Sequence, residues 1–233
     1  MPLTIALRDD APPIEFSGAT PDGCAGLTLA EIERIPLAAG NRLTPLGELA
    51  AVSGGPSDRD WRITGDARRV HGLGEGMTAG RIFVEGNVGP RAGASLRGGE
   101  IEIAGDADLY LGAEMRGGSI RVRGSAGDSV GAAYPGGKRG MNGGTIYIHG
   151  SAGDDLGAMM RRGLIAVAGD CGAFAGTNLI AGTILVAGRV GGHPGAAMRR
   201  GTLVLCQSTA DDLGPAFRAA CRYRPTFLLV YLR

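Results

Sequence analysis

Several residue types are scarce in this 233-residue chain, and each scarcity closes a door. Aromatic residues make up only 5%, so its core has to close on small and aliphatic side chains. Four cysteines, Cys24, Cys171, Cys206 and Cys221, lie scattered with no C-x-x-C pair, which excludes a disulfide framework and a zinc ribbon. No apolar run approaches membrane length, so no transmembrane helix is expected. The first residues, MPLTIALRDDAPP, lack a charged n-region followed by a long apolar stretch; the expectation is a cytoplasmic protein. Lys138 is the single lysine among 24 basic residues, and the formal net charge is +1. That balance gives no bulk electrostatic case for nucleic acid or membrane.

What the chain has instead is glycine, 43 residues of it, in register. One unit is written seven times between Asp60 and Leu205, starting at Asp60, Arg81, Glu100, Ser119, Thr145, Leu164 and Thr183, with an eighth start at Thr202. The spacings are 21, 19, 19, 26, 19, 19 and 19 residues. Each unit opens on an alternating apolar pair, Trp61/Ile63, Ile82/Val84, Ile101/Ile103, Ile120/Val122, Ile146/Ile148, Ile165/Val167 and Ile184/Val186, which is strand spacing with one face inward. A glycine follows the pair (Gly65, Gly86, Gly105, Gly124, Gly150, Gly169, Gly188), and a second comes seven residues later (Gly72, Gly93, Gly112, Gly131, Gly157, Gly176, Gly195). Between them sits a small residue, Ala67, Val88, Ala107, Ala126, Ala152, Cys171 or Val190, read as an inward stack. The unit closes on Met77, Leu96, Met115, Met141, Met160, Leu179 or Met198, and an unbranched thioether suits an irregular core corner.

A fixed period of this length means a solenoid. The expected fold is all-β: a right-handed parallel β-helix of about seven turns, rising about 4.8 Å per turn. Residues 1–59 are expected to form an N-terminal cap, 60–205 the repeats, and 206–233 a C-terminal cap or partner segment. Within the first, Leu3–Leu7 alternates like a strand, and Thr28-Leu29-Ala30-Glu31 reads as a capping box opening a short helix that stops near Pro36. In the last, Asp211 to Cys221 is expected to be helical, and Thr226–Leu232 (TFLLVYL) is an apolar run needing cover.

Catalytic furniture is thin. His71, His149 and His193 fall in different turns, and no nucleophile–base or metal-ligand spacing emerges, so no catalytic or metal-binding residue is assigned. Gly136-Gly137-Lys138 is no phosphate loop, because Arg139 stands where Ser or Thr should follow. Two features remain. The fourth unit carries seven extra residues within Ala132–Gly140 (AAYPGGKRG), and insertions in solenoids become loops on a binding face; Tyr134, Lys138 and Arg139 are candidate partner contacts. After the Met/Leu position come Arg97, Arg116, Arg161 and Arg199, with Arg162 and Arg200 one further on. At one phase of stacked turns these form partial columns, either a solvated, acid-balanced face or a docking face for an acidic partner or polyanionic carrier.

The G-x-x-G-x-x-x-G steps place the chain in a resemblance to the GXGXG superfamily, shared by the glutamate synthase C-terminal domain and the formylmethanofuran dehydrogenase C-subunit. Gly23-Cys24-Ala25-Gly26-Leu27-Thr28, Gly40-Asn41-Arg42, Gly74-Glu75-Gly76-Met77-Thr78, Gly86-Asn87-Val88-Gly89 and Gly140-Met141-Asn142-Gly143-Gly144 make the whole chain resemble the second, over roughly residues 1–205. The resemblance implies a non-catalytic scaffold subunit in one-carbon metabolism. It would sit beside amidohydrolase-like, formyltransferase-like and dehydrogenase B-subunit-like partners, as in the formyltransferase/hydrolase complex of methylotrophs. That complex moves a formyl group from tetrahydromethanopterin to a methanofuran-type carrier and hydrolyses it to formate. The resemblance also implies zinc in another subunit, no cofactor bound by this chain alone, and a carrier with a polyglutamyl arm that would give the arginines an anion to meet. The C-subunit of a molybdenum or tungsten formylmethanofuran dehydrogenase is the alternative, and a glutamate-synthase-type domain a further one. The arginine bias tilts the reading toward the bacterial complex.

Overall fold

The computed structural model describes residues 1–8, 11–208 and 213–222, and their architecture is all-β. Before the repeats come β1 (Leu3–Leu7), β2 (Ile14–Glu15), β3 (Pro36–Ala39), β4 (Arg42–Pro45) and β5 (Ala50–Ser53). Three helices of four or five residues separate them: α1 (Pro21–Cys24), α2 (Leu29–Glu33) and α3 (Leu46–Leu49). The capping box forms as read: the Thr28 side chain accepts the Glu31 N–H while Glu31 accepts the Thr28 N–H.

The repeats contribute β6 (Asp60–Thr64), β7 (Val70–His71), β8 (Arg81–Val84), β9 (Glu100–Ile103), β10 (Arg116–Val122), β11 (Asn142–Ile148), β12 (Arg162–Val167), β13 (Thr183–Val186) and β14 (Thr202–Leu205). One ten-stranded sheet runs β14-β13-β12-β11-β10-β9-β8-β6-β1-β5, and a four-stranded sheet runs β4-β3-β2-β7. Every pair from β6 to β14 in the large sheet is parallel and joins equivalent residues of successive units, such as Ile82 with Ile101 and Ile165 with Ile184. The apolar pair of each unit is buried, from Trp61/Ile63 to Ile184/Val186, because a period of two puts both on one face. The small residues form a second parallel row of bridges, from Ala67 with Val88 to Cys171 with Val190. The Met/Leu positions Met77, Leu96, Met115, Met141, Met160 and Leu179 are wholly buried, and Met198 in the last unit partly so.

The corner between these rows explains the glycines and corrects one of them. Three alternate residues per corner have positive φ, as in Arg91 (66°), Gly93 (64°) and Ser95 (53°), or Phe174 (63°), Gly176 (71°) and Asn178 (54°). The outer two point their N–H to the next unit: Arg91 N–H donates to Leu109 O at 2.9 Å, and Phe174 N–H to Gly192 O at 2.9 Å. The middle one donates backward, as Gly93 N–H does to Leu73 O at 2.8 Å. In the units after the first, only the middle position requires glycine. A β-carbon at Gly93 would lie 2.5 Å from Ile120 Cδ1, and one at Gly157 2.5 Å from Ile184 Cδ1, whereas the flanking side chains point outward. In the first unit the residue in this column is Gly74, since Gly93 reaches back to Leu73, and not Gly72, which donates to Pro90 O. The two extra residues of that unit lie between Ala67 and Gly74, where β7 forms and pairs with β2. Counting glycines from the strand missed this, because the count assumed the extra length lay elsewhere.

At another corner, short polar side chains form a ladder along the stack. Asn87 Oδ1 accepts the Asp106 N–H (2.7 Å), Asp106 Oδ1 the Ser125 N–H (2.7 Å), Ser125 Oγ the Ser151 N–H (3.1 Å), Ser151 Oγ the Asp170 N–H (3.1 Å), and Asp170 Oδ1 the Arg189 N–H (2.8 Å). Side-chain caps of this kind satisfy backbone donors at a turn. No helix occurs within residues 213–222, against the expected Asp211 to Cys221 helix, whose first two residues lie outside the described ones. Glycine and proline at 214 and 215 interrupt the helical pattern there. Thr226–Leu232 also lies outside the described residues.

Candidate docking face

The backbone places the candidate arginines at two neighbouring phases. Arg116 donates its N–H to Leu96 O, Asn142 to Met115 O, Arg161 to Met141 O, Ile180 to Met160 O and Arg199 to Leu179 O. The first column therefore reads Arg97, Arg116, Asn142, Arg161, Ile180, Arg199, with breaks at Asn142 and Ile180. Arg162 and Arg200 stand in the next column, separated by Ala181. Arg97, Arg116, Arg162, Arg199 and Arg200 are exposed, while Arg161 is half-buried, with a buried Nε that has no hydrogen-bond partner. Arg97 and Arg116 occupy the same phase of adjacent units, so their like charges repel unless solvent or an anion screens them.

Among the described residues these cations form no ion pair, although Glu114 lines a concavity with Arg116, Lys138 and Arg139. On the outer face of the ten-stranded sheet, arginines pair across units: Arg62 with Glu85 at 2.8 Å, Arg81 with Glu100 at 3.1 Å, and Arg123 with Glu102. Among the described residues none of the six column arginines, nor Lys138 or Arg139, makes an ion pair. The face is solvated, with its cations outside any close ion pair among the described residues.

The insertion adds to the same region and divides as it does so. Register places its extra residues between Gly131 and Met141, since Met141 N–H donates to Gly131 O (2.8 Å) and Asn142 N–H to Met115 O (2.7 Å). Lys138 and Arg139 turn toward Arg116 and Asn142 and line with them, Glu114 and Gly140 an open concavity of about 390 Å³. Tyr134 goes the other way. Its ring lies 5.2 Å from that of Tyr110, beside Ser129, Asp155 and Met159 in a second concavity of about 270 Å³. Burial, with Glu75 nearby, pushes the Tyr134 phenol up to about 12, so it stays protonated and can serve as a donor. Close by, Ser17 Oγ lies 2.7 Å from Glu15 Oε1 and 2.6 Å from Glu75 Oε2, and Arg91 pairs with Glu15. This polar cluster ties the N-terminal segment to the first corner, a role that single-residue reading missed. A clue was available: Gly72, whose β-carbon would fall on Ser17, Glu15 and Glu75.

The histidines do not meet. His71 lies in β7, His149 is exposed on the outer sheet face with Arg121, Arg123 and Tyr147, and His193 stacks on Phe174 with centroids 5.3 Å apart. Among the described residues no group of three or more His, Cys, Asp or Glu side chains converges to hold a metal ion. Burial pushes the Cys171 thiol up to about 12, with Asp154 adding to it, which removes it as a thiolate nucleophile. Among the described residues no helix is long and apolar enough to cross a membrane.

No family model matches the chain. The C-subunit of tungsten-containing formylmethanofuran dehydrogenase 2 from Methanothermobacter thermautotrophicus is 40% identical over 86 residues, which is 35% of this chain and 32% of that protein. The C-subunit of molybdenum-containing formylmethanofuran dehydrogenase 1 from Methanosarcina barkeri is 42% identical over 80 residues, 33% of this chain and 27% of that one. The match spans about a third or less of these curated relatives. A solved structure extends it: a chain in the X-ray crystal structure of the formyltransferase/hydrolase complex from Methylorubrum extorquens with methylofuran. It matches with a TM-score of 0.86 and 36% identity, over 98% of this chain and 85% of that chain.

Proposed function

The chain belongs to the formylmethanofuran dehydrogenase C-subunit family, and on that premise we propose that it is a non-catalytic scaffold subunit of a formyltransferase/hydrolase complex. The observation that carries this is the near full-length likeness to a chain of such a complex. In this reading the stack is a right-handed parallel β-helix of about seven turns. In-register parallel pairing at 19-residue offsets and the second row of bridges support that geometry. Its partners are amidohydrolase-like, formyltransferase-like and dehydrogenase B-subunit-like proteins in the cytoplasm. The methanofuran-type carrier is a substrate of the whole assembly, and zinc sits in another subunit. The alternative, the C-subunit of a molybdenum or tungsten dehydrogenase, draws on the relatives named for those metals. A native pull-down with metal analysis separates the two. Zinc with hydrolase-like and formyltransferase-like partners supports the first reading, molybdenum or tungsten with iron supports the second, and a lone monomer refutes both.

The unpaired cations Arg97, Arg116, Arg161, Arg162, Arg199 and Arg200, with Lys138 and Arg139, form in this reading a docking face for an acidic partner surface or the polyglutamyl arm of the carrier. Tyr134 is a second contact, in the separate concavity beside Tyr110. Arg116 and Lys138, brought together only by the insertion, are its test. The double variant Arg116→Glu/Lys138→Glu is expected to lose retention of partner or carrier and the salt dependence of that retention. Retention unchanged at low and high salt refutes the docking role.

A further inference from the structure

The insertion borders two concavities that differ in charge. One is lined by Arg116, Lys138 and Arg139 with a single acid, Glu114. The other, of about 270 Å³, has no lysine or arginine among the described residues that line it, and its one charged group is Asp155.

The shape of this second concavity follows from side-chain size at one phase of the stack. Tyr110 donates its N–H to Asp128 O (2.9 Å), Ser129 to Asp154 O (2.8 Å) and Asp155 to Ala173 O (2.9 Å). Tyr110, Ser129 and Asp155 are therefore equivalent residues of three successive units, and their φ angles agree, at 61°, 62° and 58°. With about 4.8 Å between units, Tyr110 and Asp155 stand roughly 10 Å apart along the stack, and the short Ser129 between them leaves a notch. Ala132 and Ala133 continue the notch across the corner. The insertion then brings the Tyr134 ring to 5.2 Å from that of Tyr110, at an interplanar angle of 38°.

The groups around the notch suit a cation. Two tyrosine rings offer electron-rich faces, which attract a guanidinium or ammonium group. Asp155 makes no ion pair among the described residues. Burial, with the like charges of Asp154 and Asp128, pushes its carboxyl up, as expected of an acid that lacks a cation. Arg91, whose charge reaches Tyr134, is already paired with Glu15. Ser129 and Asn178 add oxygen acceptors at the rim. A planar guanidinium can stack on a ring and spread five donors over several acceptors, whereas an ammonium is compact and strongly hydrated.

We propose that this notch receives the guanidinium of an arginine presented by a partner subunit, stacked on Tyr110 and Tyr134 and paired with Asp155. The proposal deepens the contact given above for Tyr134 and rests on the chain having a partner. It also reverses the sign of recognition at the arginine columns, so the insertion serves two surfaces of different charge.

The test titrates the full chain with N-acetyl-arginine methylamide and follows the ring carbon–proton resonances of its tyrosines, each assigned by its Tyr→Phe variant. The Tyr110 and Tyr134 signals are expected to move together and to saturate below about 50 mM. Asp155→Asn and Tyr110→Leu are each expected to weaken binding at least about ten-fold, while Tyr134→Phe, which keeps the ring, stays within about two-fold. Asp155→Asn removes an unpaired acid, so it is expected to fold at least as stably as the parent chain. The uncharged N-acetyl-citrulline methylamide is expected to give no saturable shift. No saturation with the arginine probe up to about 100 mM overturns the proposal. So does an equal response to the citrulline probe, or an affinity unchanged in both Asp155→Asn and Tyr110→Leu. An equal response to N-acetyl-lysine methylamide overturns the choice of guanidinium. Probe binding by a chain that recovers no partner in the pull-down fails the assembly reading and, with it, the partner as the source of the arginine. Partner recovery without probe binding fails the guanidinium site alone.

Discussion

Two glycines of the insertion differ in a way that can be put in numbers. Gly140 closes the loop and is buried, and its φ is not in the left-handed region. A β-carbon there would lie 2.4 Å from Ala158 O, 2.8 Å from Gly131 O and 3.1 Å from Ala133 N, all backbone atoms held by the stack. Gly136 at the tip has φ of 80° and nothing within 4 Å of its would-be β-carbon. Gly140→Ala must therefore push the chain away from the fifth unit. That strains the bonds from Gly140 N–H to Met159 O (3.0 Å) and from Met141 N–H to Gly131 O (2.8 Å). Two weakened hydrogen bonds with buried groups left short of partners cost about 2–4 kcal/mol. Gly136→Ala meets only the left-handed penalty of about 1 kcal/mol. Urea unfolding of the purified chain reads both. Gly140→Ala should also separate Lys138 and Arg139 from Arg116, and so weaken salt-sensitive retention of an acidic partner. Equal losses in the two variants, or a larger one for Gly136→Ala, would refute the steric reasoning.

Other perturbations follow from the same stack. Burial raises the Asp155 pKa, and the neighbouring Asp154 and Asp128 add to the shift. With its folded value above the unfolded one, its contribution is present below the ordinary carboxylate range and lost as pH rises through the folded value. Asp155→Asn, which suits the φ of 58°, should raise the melting temperature at neutral pH and give no gain near about pH 3; a loss at neutral pH would contradict this. Met160→Ala should cost about 2–5 kcal/mol, because Met160 is wholly buried. Met198→Ala, at the partly buried end, should cost clearly less in the same urea titration.

Much of the architecture was legible because its signals are local and repeated. Alternating pairs such as Ile120/Val122 predict strands, the Thr28 to Glu31 capping box predicts α2, and the 26-residue spacing locates the insertion. What escaped depends on register between units. The ladder from Asn87 to Asp170 was written as a short polar residue after each glycine, yet its hydrogen bonds join residues 19 or 26 apart. The arginines were legible as a phase, but the breaks at Asn142 and Ile180 come from chain positions that are apolar or neutral by residue choice and carry no periodic mark. Nor could spacing say that Tyr134 and Lys138, four residues apart in one loop, line different concavities.

The amino-acid sequence by itself determined the strand content, the repeat length, the inward residues and the place where the period breaks. A period of two sets which side chains are buried, and a period of 19 sets which of them stack. The tertiary structure decided what lies beside what across units. It set the column that contains Gly74 in place of Gly72, because the first unit gives two residues to pairing with β2. It left the column arginines without an ion pair among the described residues, while Arg62, Arg81 and Arg123 found glutamates one unit away, because outward side chains on neighbouring strands stand opposite or diagonal to one another within reach of long side chains.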